Sequence, residues 1–270
     1  MRGASRASYA ELRERLAVAL PGAPIAEQTG DELFSVTRLL DSEHGLRRVL
    51  ADTTKPSAEK AAIARRLLHG KVSPTTEDLV AEASAGKWAT SGDFADAIEQ
   101  LAVEAMVLAA EAEGGLDDLE DGLFRFGRVV SATPDLRAAL ADASLPEQGK
   151  RRLLGTLLDG KVTAVTLSLI NQMVAHPRGR SLNDALDLCA DIAARRRQQL
   201  IAVVRSATEL SASQRRRLAD ALARSYGHDV HLDVVIDPSV VGGISVQIGD
   251  ELIDGTAASR MADVRRRLAS

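Results

Sequence analysis

Apolar and polar residues follow two different patterns along the chain. Segments rich in Ala and Leu, which favour helices, dominate as far as about residue 198. Nearer the C-terminal end, apolar residues occupy alternate positions in two short runs: Leu232, Val234 and Ile236, then Ile244, Val246 and Ile248. Alternation of this kind is typical of strands with one buried face. The sequence therefore predicts a mainly α chain that ends in a small α/β unit.

The helical part repeats itself at an offset of 90 residues without a gap. Turn residues and apolar residues keep the same spacing in both copies, so chance is a poor explanation. A solenoid would have shorter and more numerous units. We therefore predict a duplicated bundle of about five helices per copy. The clearest matches pair Leu33-Phe34 with Leu123-Phe124, Arg38 with Arg128, Leu50-Ala51-Asp52 with Leu140-Ala141-Asp142, Lys60 with Lys150, and Gly70-Lys71-Val72 with Gly160-Lys161-Val162.

Helix ends are marked by residues whose backbone preferences are known. Thr54 and Ser144 are predicted N-caps, and Ser144 forms a capping-box pattern with Glu147. Pro56 and Pro146 are expected inside the first turns that follow. The glycines at 70 and 160 fit left-handed C-caps. The predicted helices include Ser8–Leu20, Thr75–Ala85, Asp93–Glu113, Thr163–Ala175 and Leu182–Gln198.

The predicted helix Asp93–Glu113 closes the first copy and also serves as the first helix of the second. The C-terminal unit is expected to have the order β-α-β-β-β-α. It starts with a strand at Gln199–Arg205, and Ser211 with Gln214 forms a capping box that opens a helix ending at Tyr226. The expected remainder is a second strand, a Gly242-Gly243 turn, a hairpin at Gly249-Asp250, a short strand Leu252-Ile253 and a final helix carrying Met261, Val264 and Leu268. The predicted domains are 1–113, 114–198 and 199–270.

Composition excludes several classes of protein. A net charge of −4 argues against a general nucleic-acid binder, and a lone Cys189 excludes an internal disulfide or a cysteine metal site. No apolar run reaches the roughly 18 residues of a spanning helix, and the N-terminus has no apolar signal core. We expect a soluble, cytoplasmic protein whose only membrane connection runs through a partner.

Several motifs admit a chemical and a structural interpretation. Gly70-Lys71 lacks the spacing and the Ser or Thr of a phosphate loop, so a helix C-cap is favoured. Glycines of the tail fit turns better than a nucleotide loop, and the histidines show no metal-ligand spacing beyond His228-x-x-His231. An acidic cluster fits a solvated helix start better than paired catalytic carboxylates: Asp117, Asp118, Glu120 and Asp121. Two arginine triplets suit either a solvated face or an acidic partner: 195–197 and 215–217.

The tail carries a resemblance to a known family. Its residues 237–256 read DPSVVGGISVQIGDELIDGT, and the junction Ile201–Ser211, the pair Gly179-Arg180 and the start Tyr9-Ala10 add to it. Together they resemble the delta subunit of F-type ATP synthases, the oligomycin-sensitivity-conferral protein family. The first copy lacks the Gly-Arg pair and has Thr90 opposite Arg180. The duplication resembles the long form found in high-GC Gram-positive bacteria.

The resemblance implies a non-catalytic stator subunit without cofactor or metal, at the cytoplasmic face of the bacterial membrane. The implied partners are the N-terminal helices of the alpha subunits for the helical part, the b subunit for the C-terminal domain, and the beta subunits as a further possibility. Both copies are candidates for the alpha contact. A groove between the first and last helix of a copy would use Tyr9, Leu12 and Leu16, or Leu182, Leu186 and Cys189. Core packing accounts for these six side chains at least as well.

Two alternatives come from other classes. A generic helical adaptor would show no affinity for alpha or b peptides. An enzyme with a site between the domains would lose turnover on a single substitution, although the sequence nominates no nucleophile and base for that role.

Overall fold

The computed structural model describes residues 3–20, 22–142, 144–198, 200–226, 230–238, 240, 242–248 and 251–254. Contacts between Cα atoms divide the chain into two compact units, Met1–Ala194 and Arg195–Ser270. The predicted mainly α fold with a small α/β region is confirmed. The division into three domains, with borders at residues 113 and 198, stays a prediction.

Eleven helices account for the described helical part of the chain up to residue 198. In chain order they are α1 Ala4–Ala19, α2 Ala23–Ser42, α3 His44–Ala51, α4 Ser57–Leu68, α5 Pro74–Ala85, α6 Ser91–Ala112, α7 Leu116–Ala132, α8 Pro134–Ala141, α9 Glu147–Leu158, α10 Ala164–Ala175 and α11 Leu182–Gln198.

The helix bounds repeat with the sequence. Helices α8, α9 and α10 begin and end 90 residues after α3, α4 and α5. The left-handed glycines repeat as well, with φ of 70° at Gly70 and 64° at Gly160. Both glycines follow a helix end, which confirms the predicted C-caps. The duplicated helical bundle is therefore visible in the backbone itself.

Helix α6 lies at the centre of the first unit. It packs against α1, α2 and α3 of the first repeat and against α7 and α10 of the second. Most of its residues are buried, including Phe94, Ile98 and Leu101, as expected for a helix surrounded on several sides. One continuous hydrophobic cluster therefore takes side chains from both repeats.

Two of the predicted N-caps are wrong. Helices α4 and α9 start one residue after Pro56 and Pro146, which occupy the N-cap positions without a side-chain cap. The backbone N–H of Thr54 donates to Asp52 Oδ1, and the N–H of Ser144 donates to Asp142 Oδ1. Aspartates form local turns of this kind readily, and these turns take the place of the expected N-cap at Thr54 and the expected capping box at Ser144.

The second unit holds a four-stranded sheet in the order β2-β1-β3-β4, with α12 Ala212–Tyr226 between the first two strands. Strands β1 and β2 are parallel, while β1 with β3 and β3 with β4 are antiparallel. Helix α12 packs against β2. The strands are β1 Leu200–Ser206, β2 Val230–Ile236, β3 Ile244–Ile248 and β4 Glu251–Asp254.

The expected burial pattern holds for most of this sheet. Val246 and Ile248 are buried with Ala202 and Val204 of β1, as the alternation predicts. Ile236 departs from it with 57% of its surface exposed, because it ends the edge strand β2. The Ser211 and Gln214 capping box is confirmed, since each residue's backbone N–H donates to the other's side chain. The predicted Gly249-Asp250 hairpin and the final helix lie outside the described residues.

Candidate functional site

The six side chains predicted for a partner groove lie in or against the bundle core. Leu12, Leu16, Leu186 and Cys189 are buried, with exposed fractions between 0% and 4%. Tyr9 and Leu182 are partly buried and pack against the same core. Their apolar spacing is thus explained by packing within the chain. A contact between these residues and a partner stays a prediction.

Glu104 of α6 binds two side chains of α1 and so joins the two helices. It accepts a hydrogen bond of 2.7 Å from the Tyr9 hydroxyl on one oxygen, and the same oxygen lies 2.6 Å from Arg13 Nε. Near the start of α1, the Ser5 hydroxyl donates to Asp93 at 2.6 Å. A carboxylate placed among apolar residues needs such partners, since burying it unpaired would be costly.

A buried network of charges surrounds Glu99, one and a half turns earlier on α6. The Glu99 side chain is only 3% exposed and accepts from Arg178 Nη1 at 2.6 Å. The second Glu99 oxygen accepts from Arg180. Arg178 also donates to Asp41 of α2, with Nε at 2.6 Å from Oδ2, and lies 3.1 Å from Asp96. Two arginines between α10 and α11 of the second repeat thus bind one carboxylate of α2 and two of α6.

The backbone between α10 and α11 brings these two arginines to Glu99. Arg178 has a φ of 49°, and it is the one described residue other than glycine with a positive φ. Gly179 follows with a φ of 74°. Two consecutive left-handed residues reverse the chain direction sharply, which lets both guanidinium groups reach Glu99. The ion pairs hold Arg178 in a conformation that its side chain would otherwise disfavour.

Electrostatics in the network favour the charged arginine. Burial on its own would lower the pKa of Arg178, but the hydrogen bonds to Asp41 and the charge of Glu99 outweigh it and raise that pKa above its ordinary value. The planar guanidinium suits this role because it can meet several carboxylates at once. The network is therefore a contact between charged groups that joins the residues before α11 to α2 and α6.

A cleft of about 400 Å³ opens beside the network, between α2 and the end of α10. Phe34 and Met173 give it apolar walls, and Arg38 crosses it to donate to Gln172 Oε1 at 3.0 Å. His176 lines the same cleft, where burial and the nearby Arg38 lower its pKa. The histidine is thus held neutral near pH 7.

The described residues offer little reactive chemistry. Burial raises the pKa of the Cys189 thiol to about 12, so it is not a nucleophile near neutral pH. The ammonium of Lys60 is buried and donates to the Gly86 carbonyl at 3.0 Å, which places a cation at the end of α5. No group of three metal-ligating side chains occurs in the described ranges. None of the helices described is long and apolar enough to cross a membrane.

Comparison with known proteins decides the family. A profile described as ATP synthase delta (OSCP) subunit matches residues 99–268. The chain belongs to the ATP synthase delta (OSCP) subunit family. The match begins at Glu99 in α6 and takes in the rest of that helix, the second repeat and most of the C-terminal unit. That one helix serves both copies stays a prediction.

Relatives over the whole length include proteins named ATP synthase subunit delta. The Thermobifida fusca protein is 46% identical over 269 residues, covering 100% of both chains. The Streptomyces griseus protein is 46% identical over 270 residues, again with 100% of both chains covered. The Streptomyces avermitilis protein is 45% identical, covering 99% of this chain and 98% of its own. The predicted long form of the delta family is therefore confirmed in actinobacteria.

Of the charged network around Glu99, the sequence predicted one member and not the others. The pair Gly179-Arg180 was singled out by its resemblance, and Arg180 binds Glu99. Asp41, Asp96, Glu99 and Arg178 were not predicted. One signal was available, since Glu99 and Glu104 stand among the apolar residues Ile98, Leu101, Val103 and Ala105 of α6. A charge at such a position indicates a buried ion pair.

Proposed function

We propose that this chain is a peripheral-stalk subunit of an F-type ATP synthase, which holds the catalytic head against rotation. The observation that carries the proposal is the family match over residues 99–268, together with relatives that align from end to end. In this role the protein connects and resists torque, and it needs no catalytic site of its own. As a subunit without a described spanning helix, it is peripheral to the membrane complex, and we place it at the cytoplasmic face.

The construction of the first unit suits a mechanical role. Its core is one continuous cluster through both repeats, and α6 lies within it. Buried side chains at close packing transmit strain with little compression. The ionic network adds fixed contacts between α2, α6 and the residues before α11. A stalk subunit built in this way would pass torque from one binding surface to another without yielding.

The partners are assigned from the resemblance of the chain to its family. In the proposal, the helical unit binds N-terminal helices of the alpha subunits, and the C-terminal unit binds the end of the b subunit. The beta subunits are further candidates for contact with the helical unit. Helices that bind in a groove bury one apolar stripe, which is the usual way in which helical proteins recognise each other.

Binding of the purified full-length chain tests this proposal. One measurement uses a labelled peptide of the alpha-subunit N-terminus, and the other uses the soluble part of b. The proposal expects both to bind and to bind at the same time, because a stator must hold both ends. Binding to neither would contradict the stator function and leave a generic helical adaptor as the better account.

A further inference from the structure

A face of α2 that is buried in the first repeat has an exposed counterpart on α7 in the second. Phe34 of α2 is 4% exposed, whereas Phe124, at the same repeat position on α7, is 63% exposed. A single exposed apolar side chain is common on protein surfaces and needs no explanation alone. Here the contrast is between equivalent positions of one repeat, so the difference has to come from what lies opposite each face.

In the first repeat, the face of α2 is opposed by a helix. Phe34 and Arg38 line one wall of the cleft, and Gln172 and Met173 of α10 line the other. The side-chain oxygen Oε1 of Gln172 accepts a hydrogen bond of 3.0 Å from Arg38 Nη1. The aromatic ring and the arginine are thus matched by an apolar side chain and an acceptor from one helix.

In the second repeat, the same two residue types face outwards. The guanidinium of Arg128 lies over the ring of Phe124, with 5.9 Å between its central carbon and the ring centroid. Arg128 forms no ion pair with any carboxylate of the described residues. Arg125, on the same face, is paired with Asp121 one turn earlier. Val129 borders this face with 43% of its surface exposed.

We propose that the exposed face of α7, formed by Phe124, Arg128 and Val129, is a docking surface for an acidic amphipathic helix of the catalytic head. The proposal rests on the proposed function for the identity of the head. The shape of the partner follows from the first repeat, where a helix opposes the equivalent face. An apolar side chain of the partner would cover the Phe124 ring, as Met173 lies opposite Phe34.

The charge of the partner follows from Arg128. A carboxylate can take the acceptor position that Gln172 holds against Arg38, and it would also neutralise a cation that forms no ion pair with the described carboxylates. A desolvated pair of an aromatic ring and an arginine at the centre of a contact is a frequent source of binding energy. The guanidinium already lies over the Phe124 ring, which reduces the rotamer entropy lost on binding.

Substitution in the full-length chain tests the surface by its affinity for the purified catalytic head lacking delta. Phe124→Ser and Arg128→Glu are each expected to weaken binding about tenfold, equivalent to about 1.4 kcal/mol. Val18→Ser is the matched control, since Val18 on α1 is 69% exposed, and binding should not change. All three side chains are exposed, so the far-ultraviolet dichroism and Tm should match those of the unsubstituted chain.

A photo-crosslinking phenylalanine analogue at position 124 identifies the occupant. The expected product joins the chain to a head subunit, and the yield should fall with added Arg128→Glu or with higher salt. Three results would overturn the proposal: unchanged affinity in Phe124→Ser while the parent chain binds the head, a crosslink to b instead of the head, or equal yields from positions 124 and 18. Failure of the parent chain to bind head and b alike would overturn the proposed function as well.

Discussion

The two helical repeats share their backbone plan but are held together by different polar contacts. In the first repeat, the Trp88 ring is buried, donates from Nε1 to the Ala83 carbonyl at 2.7 Å and lies 5.7 Å from the Phe94 ring. The equivalent position of the second repeat is Arg178, which reaches outside its own repeat to Asp41 and Glu99. Trp88 packs within the first repeat, whereas Arg178 at the equivalent position binds Asp41 of the other repeat.

A second equivalent pair shows the same divergence. Glu32 of α2 accepts hydrogen bonds from the backbone N–H of Ser73 at 2.9 Å and from the hydroxyls of Ser73 and Thr76 at 2.7 and 2.5 Å, which ties α2 to the start of α5. Its counterpart is Gly122 of α7, whose missing side chain lets α7 approach Thr166. The two repeats therefore share helix lengths and turns, but different residues make the contacts between neighbouring helices in each.

The largest expected effect is at Trp88. Trp88→Ala should lower the free energy of unfolding by about 4 kcal/mol, because it leaves a large cavity in the core and removes the indole hydrogen bond to the Ala83 carbonyl. Urea denaturation of the full-length chain measures this. A loss below about 1 kcal/mol would show that the first repeat does not depend on this contact.

Substitution of Arg178 is expected to have the second largest effect on the free energy of unfolding. Arg178→Ala leaves Asp41 and the buried Glu99 short of a cation, and we expect a loss of about 3 kcal/mol in the free energy of unfolding. Arg178→Gly suits the left-handed φ of 49° but has no guanidinium, so it separates backbone strain from ion pairing. If ion pairing is the cause, both variants lose most of these roughly 3 kcal/mol, and an Arg178→Gly variant as stable as the parent chain would rule out the ionic contact as the cause.

Two glycines of the second repeat should respond with opposite signs. A methyl group at Gly122 would lie 2.8 Å from Thr166 Cγ2, so Gly122→Ala is expected to cost about 1 kcal/mol despite the better helix propensity of alanine. Gly155 of α9 has no such neighbour, and Gly155→Ala should raise the free energy of unfolding by about 0.7 kcal/mol. Shifts of the same sign in both variants would contradict the close approach at Gly122.

The smallest effect is the pH dependence at Glu32. Burial would raise the pKa of Glu32, but hydrogen bonds from Thr76 and Ser73 outweigh it and hold that pKa below the ordinary 4.5. A carboxyl with a lowered folded-state pKa stabilises the fold above its ordinary pKa, and this stability is lost as pH falls through the folded value. The parent chain should therefore lose stability below about pH 4.5 more steeply than Glu32→Gln, as Tm measured against pH would show. Parallel curves would contradict the assignment.

The sequence predicted features that depend on neighbours along the chain. Gly70 and Gly160 mark helix ends by their own backbone freedom, and Ser211 with Gln214 caps α12 within four residues. The predicted caps at Thr54 and Ser144 are wrong because the N–H groups of these two residues bond to Asp52 and Asp142 in local turns, and the helices start only after Pro56 and Pro146. The sequence alone does not decide between a local aspartate turn and a helix N-cap, because both are favoured by nearby residues and only the backbone geometry separates them.

The ionic network lay beyond such rules. Arg178 and its partner Asp41 are separated by 137 positions, and nothing in their local sequence connects them. Apolar spacing on α1 and α11 likewise identified Leu16 and Leu186 as important but could not distinguish a core from a groove, since both need the same stripe. The roles of Arg178, Leu16 and Leu186 depend on contacts with helices far away in the sequence, so only the structure assigns them.

The most direct test of the stator function is the coupling of ATP hydrolysis to proton pumping. Membrane vesicles carrying the synthase would be stripped of this subunit and then reconstituted with the purified full-length chain. The account predicts that stripped vesicles pump no protons while the detached head still hydrolyses ATP, and that the added chain restores ATP-driven acidification. Pumping that is the same with and without the chain would contradict the claim that it holds the head against rotation.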